Sequence, residues 1–296
     1  MFLNDLRINR ANNRQPNHRL SRNEAIDAKI TEMMTPIKNA NGFTLIEILV
    51  ALAIDFIVLA GIYTAFYSQQ KSHVKEQQVV DAQQNVRGSA TFMSREIRLA
   101  GMERPSAGVA GIVVAGPHSI RFTMDTNGDN DVADPDENIQ YGFAAAADTN
   151  ADGRADAGSD EIIRFSDTDD PIADDIYAIA FAYAFDDDRD GELDYVDAGA
   201  LNGELDLGEE IWAYDSPDDP TVGLDKDNTT GAALPAPISL DRIRAVRIWI
   251  LARTRNPLRE AAVTKNFVVG DKIVNVTDNY QYRLLTATVK CRNLGI

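Results

Sequence analysis

Between Asp125 and Asp227 the chain carries 32 of its 46 acidic residues against four Lys or Arg, and the acids recur at fixed spacing. Asp125-Thr126-Asn127-Gly128-Asp129-Asn130-Asp131 puts oxygen-bearing side chains at the first, third, fifth and seventh places, with Asp136 at the twelfth. Asp148, Asn150 and Asp152 repeat the first three, with Gly153 sixth and the Arg154 carbonyl available at the seventh. In this second copy Ser159 is twelfth and Asp160 falls one place late. Asp186, Asp188 and Asp190 open a third copy, with Gly191 sixth, Glu192 seventh, Asp194 ninth and Asp197 twelfth. Inward-turned alternate side chains, a sharp turn at the sixth residue and a carbonyl from the seventh assemble the six to eight oxygens that Ca²⁺ takes. The three stretches are therefore expected to bind calcium. None ends in a bidentate Glu, and Asn130 stands where the first loop wants Gly, although Asn tolerates positive φ. Affinity is expected to be modest. Asp, Asn and Gly also make solvated turns without any metal; the recurrence is what favours calcium.

A different chemistry is written at Gly42-Phe43. From Phe43 to about Tyr67 the chain is almost wholly apolar, long enough for a helix to cross about 30 Å of hydrocarbon. Glu47 and Asp55 interrupt it. An ionisable side chain in a bilayer costs at least about 2.5 kcal/mol, so each implies a specific partner or a protonated state. On a helix the two lie about 80° apart and do not share a face. No catalytic order stands out. The histidines, His18, His73 and His118, are far apart in sequence, and no CxxC, HExxH or phosphate-cradling Gly loop occurs. The many carboxylates include no pair that spacing singles out, so a non-catalytic protein is expected.

The elements that position these residues follow from pattern. Residues 1–42 carry a net +3 and the rest of the chain −20, out of −17 overall, which disfavours nucleic acid. Residues 1–32 have no apolar core of a secretory signal. Met33 or Met34 is the expected true start, leaving a short leader with Lys38 on the cytoplasmic side. Residues 43–67 are expected to be the membrane-embedded half of one long helix, and residues 68–101 its amphipathic half. There Val79, Ala82, Val86, Ala90, Met93, Ile97 and Ala100 recur at steps of three and four. Gly101 and Pro105 end it. Residues 102–296 form a β-rich head with acidic loops over 125–227. Strands are expected at 109–115, 119–124, 137–143, 161–165, 176–185, 210–214, 242–253 and 280–292. In the seventh, Val246, Ile248 and Ile250 share one face, and Trp249 and Leu251 the other. In the last, Leu285, Ala287, Val289 and Cys291 share one face. The fold class is α+β: a long N-terminal helix packed on an antiparallel sheet. Cys291 is the sole cysteine, so no intrachain disulfide can form, and metal is the candidate substitute.

Gly42-Phe43-Thr44-Leu45-Ile46-Glu47 before an apolar helix resembles the cleavage site of type IV prepilins. Asp81-Ala82-Gln83-Gln84-Asn85-Val86-Arg87, the string Ser94-Arg95-Glu96-Ile97-Arg98-Leu99-Ala100-Gly101 and the C-terminal 282–295 resemble the PilW family of minor pilins. The acidic loops, outside that resemblance, are similar to EF-hand-like loops such as those of dockerin modules. The pilin resemblance implies cleavage by prepilin peptidase between Gly42 and Phe43, N-methylation of Phe43, and an assembly role for Glu47 against a neighbouring subunit's Phe43 amine. It also implies other minor and major pilins and an inner-membrane assembly platform as partners. The chain would sit in the inner membrane with a periplasmic head and then join a pilus at the cell surface, taking part in pilus priming. Two alternatives stay open: a J-type pseudopilin of type II secretion, and a membrane-tethered calcium-dependent adhesin.

Overall fold

The computed structural model describes residues 42–102, 111–189, 191, 193, 212–217 and 223–294. The chain divides into two compact units between Phe66 and Tyr67. Helix α1, Leu45–Ile97, contributes to both. In the first unit it is apolar all round, and no residue from Gly42 to Val74 is buried. This is the one described helix long and apolar enough to cross a membrane.

Within the second unit α1 becomes one-sided. Ala82, Val86, Ser89, Ala90, Met93 and Ile97 are buried, the stripe that the three-and-four spacing predicts. Val79 is only half-buried. Ser89, the polar member, satisfies its hydroxyl on the carbonyls of Asn85 and Val86, both at 3.0 Å. The helix tightens as it ends, with Leu99 and Ala100 N–H donating three residues back. Gly101 then takes φ +75°, a conformation that favours glycine, and a Cβ there would also press on the Leu294 side chain, 2.7 Å away.

The stripe packs on an antiparallel sheet. Its strands are β1 (Ile112–Ala115), β2 (Ile120–Thr123), β3 (Asn138–Phe143), β4 (Asp160–Phe165), β5 (Asp169–Phe185), β6 (Ala213–Tyr214), β7 (Leu224–Asp227), β8 (Ala233–Ile238), β9 (Ile243–Arg253) and β12 (Tyr282–Lys290). They follow in chain order from β1 to β8, while β9 pairs with β5 and β12 with β9. β10 (Val263–Val269) and β11 (Lys272–Asp278) form a separate hairpin. β5 is the axis. Ile176, Ile179, Phe181, Tyr183 and Phe185 join the core that holds Val86, Ala90, Met93 and Ile97. Ala178, Ala180, Ala182 and Ala184 join a second core with Trp249, Leu251, Val269, Val274 and Tyr282. The small residues let the β10–β11 turn come close: a Cβ on Gly270, at φ +62°, would lie 2.6 Å from that of Ala180. β9 is likewise buried on both faces, with Val246, Ile248 and Ile250 in one core and Trp249 and Leu251 in the other. Val289 and Cys291 face the first core, and burial pushes the Cys291 thiol up to about 12.

A polar clamp crosses the helix–sheet core. Arg164 of β4 lies 3.0 Å from Glu96 of α1 and 2.8 Å from Asp136, and Tyr141 donates its hydroxyl to Glu96. Burial works against the Arg164 charge, but the hydrogen bonds to Glu96 and Asp136 outweigh it and raise its pKa. Removing Arg164 leaves the largely buried Glu96 carboxylate uncompensated, whereas Asp136 stays solvated. Arg164→Met is expected to destabilise the protein by about 3–5 kcal/mol. Arg189→Ala, which breaks an exposed pair with Asp241, is expected to cost under about 1 kcal/mol. Denaturant melts of the full chain in detergent compare them, and equal losses would contradict the clamp.

Candidate functional site

The start of α1 is built by Thr44 and Glu47. The Thr44 N–H and hydroxyl both donate to Glu47 Oε2, at 2.8 and 2.9 Å, and the Glu47 N–H donates to Thr44 Oγ1 at 3.3 Å. This is a capping box, Thr-x-x-Glu, which satisfies orphan N–H groups at a helix N-terminus. The Thr44-x-x-Glu47 spacing carries this cap in the sequence itself, a local role for Glu47 beside any partner in another subunit. Gly42 and Phe43 lie just outside the helix and are exposed. A Cβ on Gly42 would meet nothing within 4 Å, so no packing among the described residues calls for glycine there. Asp55 is exposed on the apolar half of α1.

The first acidic loop joins β2 to β3. Asp125 is buried and accepts the N–H groups of Gly128 at 2.6 Å and Asn130 at 3.0 Å. Asn127 Oδ1 accepts from Asp129 N–H, Asp129 Oδ1 from Asp131 N–H, and Asp131 Oδ1 from Ala133 N–H. The second loop joins β3 to β4 on the same plan. Asp148 accepts the N–H groups of Asp152 at 3.0 Å and Gly153 at 2.8 Å, Asn150 accepts from Asp152, and Asp152 from Arg154. All three loops put their fourth and sixth residues at positive φ: Gly128 and Asn130, Ala151 and Gly153, Arg189 and Gly191. Ala and Arg seldom adopt that conformation, so the shared backbone shape is imposed by the loop. In the second loop the sixth residue is doubly constrained, because a Cβ on Gly153 would lie 2.2 Å from the His118 ring.

Several expected ligands stand elsewhere. Asp136, expected at the twelfth place, turns away to Arg164 at 2.8 Å, because that guanidinium needs a second carboxylate beside Glu96. Asp134, which spacing passed over, instead joins Asp129 and Asp131, with one carboxylate oxygen of each within 4.8 Å of the others. Asp160 begins β4 and accepts its neighbour's N–H, so strand geometry carries it off the second loop. That loop is closed by Asp156, whose Oδ2 accepts both the N–H and the hydroxyl of Thr149. A built-in cation also serves it: Lys272 donates to the Asp152 carbonyl at 3.1 Å and lies 3.3 Å from His118 Nε2. His118 Nδ1 meets the Ala151 carbonyl at 3.0 Å, and burial and then the Lys272 charge lower its pKa. In the third loop Asp186 is buried, with Oδ2 3.5 Å from Arg244 Nε and no hydrogen-bond partner for Oδ1. Asp188 is described, but Asp190, Glu192 and Asp197 lie outside the described residues.

The family model described as type IV pilus-assembly protein W matches residues 154–293. The model described as the prokaryotic N-terminal methylation motif matches residues 37–63. No curated protein matches. Among solved structures, a type IV-like pilin from Thermus thermophilus shares 12% identity, with 72% of this chain and 97% of that one covered and a TM-score of 0.38. At that score the likeness assigns nothing, and the α+β architecture stands on the strands described above. A methylation motif spanning the Gly42-Phe43 junction, an exposed apolar helix behind it and a W-type match over the later strands place the chain in the PilW family of type IV pilus components.

Proposed function

We propose that this protein is a non-catalytic minor pilin that helps to start a type IV pilus. Prepilin peptidase would cut between Gly42 and Phe43 and methylate the new Phe43 amine. The helix would hold the protein in the inner membrane with a periplasmic head. Extraction into the filament among other minor and major pilins would follow at the inner-membrane platform. The observation that carries the reading is the run from Gly42 to Val74, apolar in its first part, with no buried residue. Such a surface needs lipid or other helices around it. The W-type match favours the pilus over a type II secretion pseudopilin, and no observation favours the adhesin reading.

Glu47 has two uses in this account. In the uncut chain it caps its own helix through Thr44. In the filament it would face a neighbouring subunit's Phe43 amine, and the attraction would offset part of the cost of burying both charges. Gln at this place keeps the cap but loses the charge. Glu47→Gln and Glu47→Ala are therefore both expected to cut incorporation into sheared pili by about tenfold or more, on the scale of one lost buried charge partner. Membrane levels should stay unchanged. Normal incorporation of the Gln variant would show that capping is the whole role of Glu47.

We further infer that calcium fastens the three acidic loops in place of disulfides. Support comes from the shared positive φ at their fourth and sixth residues. A ligand at about 100 times its Kd adds about 2.7 kcal/mol of stability. For a domain of this size that corresponds to a Tm shift of about 5–10 °C. Calcium added to chelator-treated full chain in detergent should raise Tm by that order and slow proteolysis between residues 125 and 200. No shift at millimolar calcium would remove the inference.

A further inference from the structure

Arg259, Lys265 and Arg283 form a cluster of half-buried cations that no acid answers. Arg259 Nη2 and Lys265 Nζ both donate to one neutral acceptor, Gln281 Oε1, at 2.6 and 3.3 Å. Two donors on one oxygen hold the charged heads side by side. Gln281 continues the β9–β12 ladder, its carbonyl accepting the Thr254 N–H at 2.8 Å. Arg283, two places on, therefore projects from the same side of the strand. Arg259 Nη1 and Arg283 Nε are buried and have no hydrogen-bond partner. Among the described residues none of the three makes an ion pair. Asp278, the acid whose charge reaches Lys265, already accepts the Tyr282 hydroxyl at 2.5 Å and the Tyr280 N–H at 2.9 Å. Like charges crowded in this way repel, and nothing inside the described fold discharges them.

The loop that carries Arg259 is moored to α1. The Asn256 N–H donates to Gln78 Oε1 at 3.0 Å, and Glu260 lies 3.7 Å from Lys71. Lys71 follows Tyr67, where the apolar run ends, by one helical turn, a rise of about 6 Å. The polar headgroup layer on each side of a bilayer is about 5–7 Å deep. Tyr67 is exposed at that boundary, where an amphipathic ring favours the interface. The chain also changes sign here: residues 253–292 carry eight Lys or Arg against three Asp or Glu, in a protein that is otherwise strongly acidic. Guanidinium forks match phosphate oxygens and an ammonium adds a point charge, so this set suits a phosphate. Beside a membrane helix, the phosphate at hand is a lipid's.

We propose that Arg259, Lys265 and Arg283 bind the phosphate of an anionic phospholipid headgroup, so that the head holds a lipid beside its own anchor. This rests on α1 as the membrane anchor and goes past it by giving the head a lipid contact of its own. The full chain in neutral detergent, titrated with phosphatidylglycerol, phosphatidylcholine or inorganic phosphate, tests it, with bound lipid counted by native mass spectrometry and Tm followed in parallel. One phosphatidylglycerol should be held about tenfold or more tighter than phosphatidylcholine. Lys265→Gln and Arg259→Gln should each weaken it about fivefold, the effect of one cation beside an anionic headgroup, and the double variant should not distinguish the two lipids. Without lipid, Lys265→Gln should keep or raise Tm, because it relieves the crowding of charge. Lys290→Gln, at an exposed cation that ends β12, should bind like the parent. Equal retention of both lipids by the parent, or a preference that survives in the double variant, would overturn the proposal. Inorganic phosphate that raises Tm as far as the lipid does at equal concentration would also overturn it, since the site would then read a free anion. Failure of the parent to float with phosphatidylcholine vesicles would overturn the anchor reading and the proposal with it.

Discussion

A helix that is apolar on every side can be buried only in hydrocarbon or among other helices. That constraint governs α1 through its first half, where Leu45, Ile46, Phe56, Ile57 and Phe66 are all exposed. Nothing in the head's own composition answers it. The head closes two cores without that half, and its outer loops are acidic and hydrophilic. Among the described residues the head thus closes its own cores, while the first half of α1 presents a surface that only hydrocarbon or other helices would cover.

The second half of α1 obeys a different rule because β5 offers it a one-sided partner. The sequence Ile179-Ala180-Phe181-Ala182-Tyr183-Ala184-Phe185 alternates large with small. The large residues meet the helix, and the alanines admit the β10–β11 hairpin on the other face. Full burial of each Val, Ile or Met on the helix stripe contributes about 1.5–3 kcal/mol. The Glu96–Arg164–Asp136 chain adds direction to that apolar contact, since it ties a helix residue, a strand residue and a loop residue into one geometry. The same guanidinium thereby decides what the first acidic loop can do with Asp136.

The helix and most strands were legible because their periodicity is strong. Val246, Ile248 and Ile250 against Trp249 and Leu251 fix both faces of β9 from sequence alone. Four strands were passed over. β7 carries Asp225, Lys226 and Asp227, and β8 carries Pro235 and Pro237, which a strand tolerates at an edge such as the end of this strand order. β10 and β11 flank Gly270-Asp271, a two-residue turn signal that could have been used. β5 starts earlier than its apolar run because Asp169–Ile176 pairs with β4 despite its acids. In the loops, spacing found Asp125, Asn127, Asp129 and Asp131 as one turn. It could not find that Asp136 belongs to Arg164, since that depends on a residue 28 positions away in sequence.

The central claim is that the chain works as a trimmed spike whose first residue is Phe43. It is tested most directly by mass spectrometry of the intact protein purified from the cell envelope that makes it. The account predicts a polypeptide beginning at Phe43 with one methyl group on its terminal amine. Protein that still carries residues upstream of Gly42, or an unmodified amine at Phe43, would contradict it.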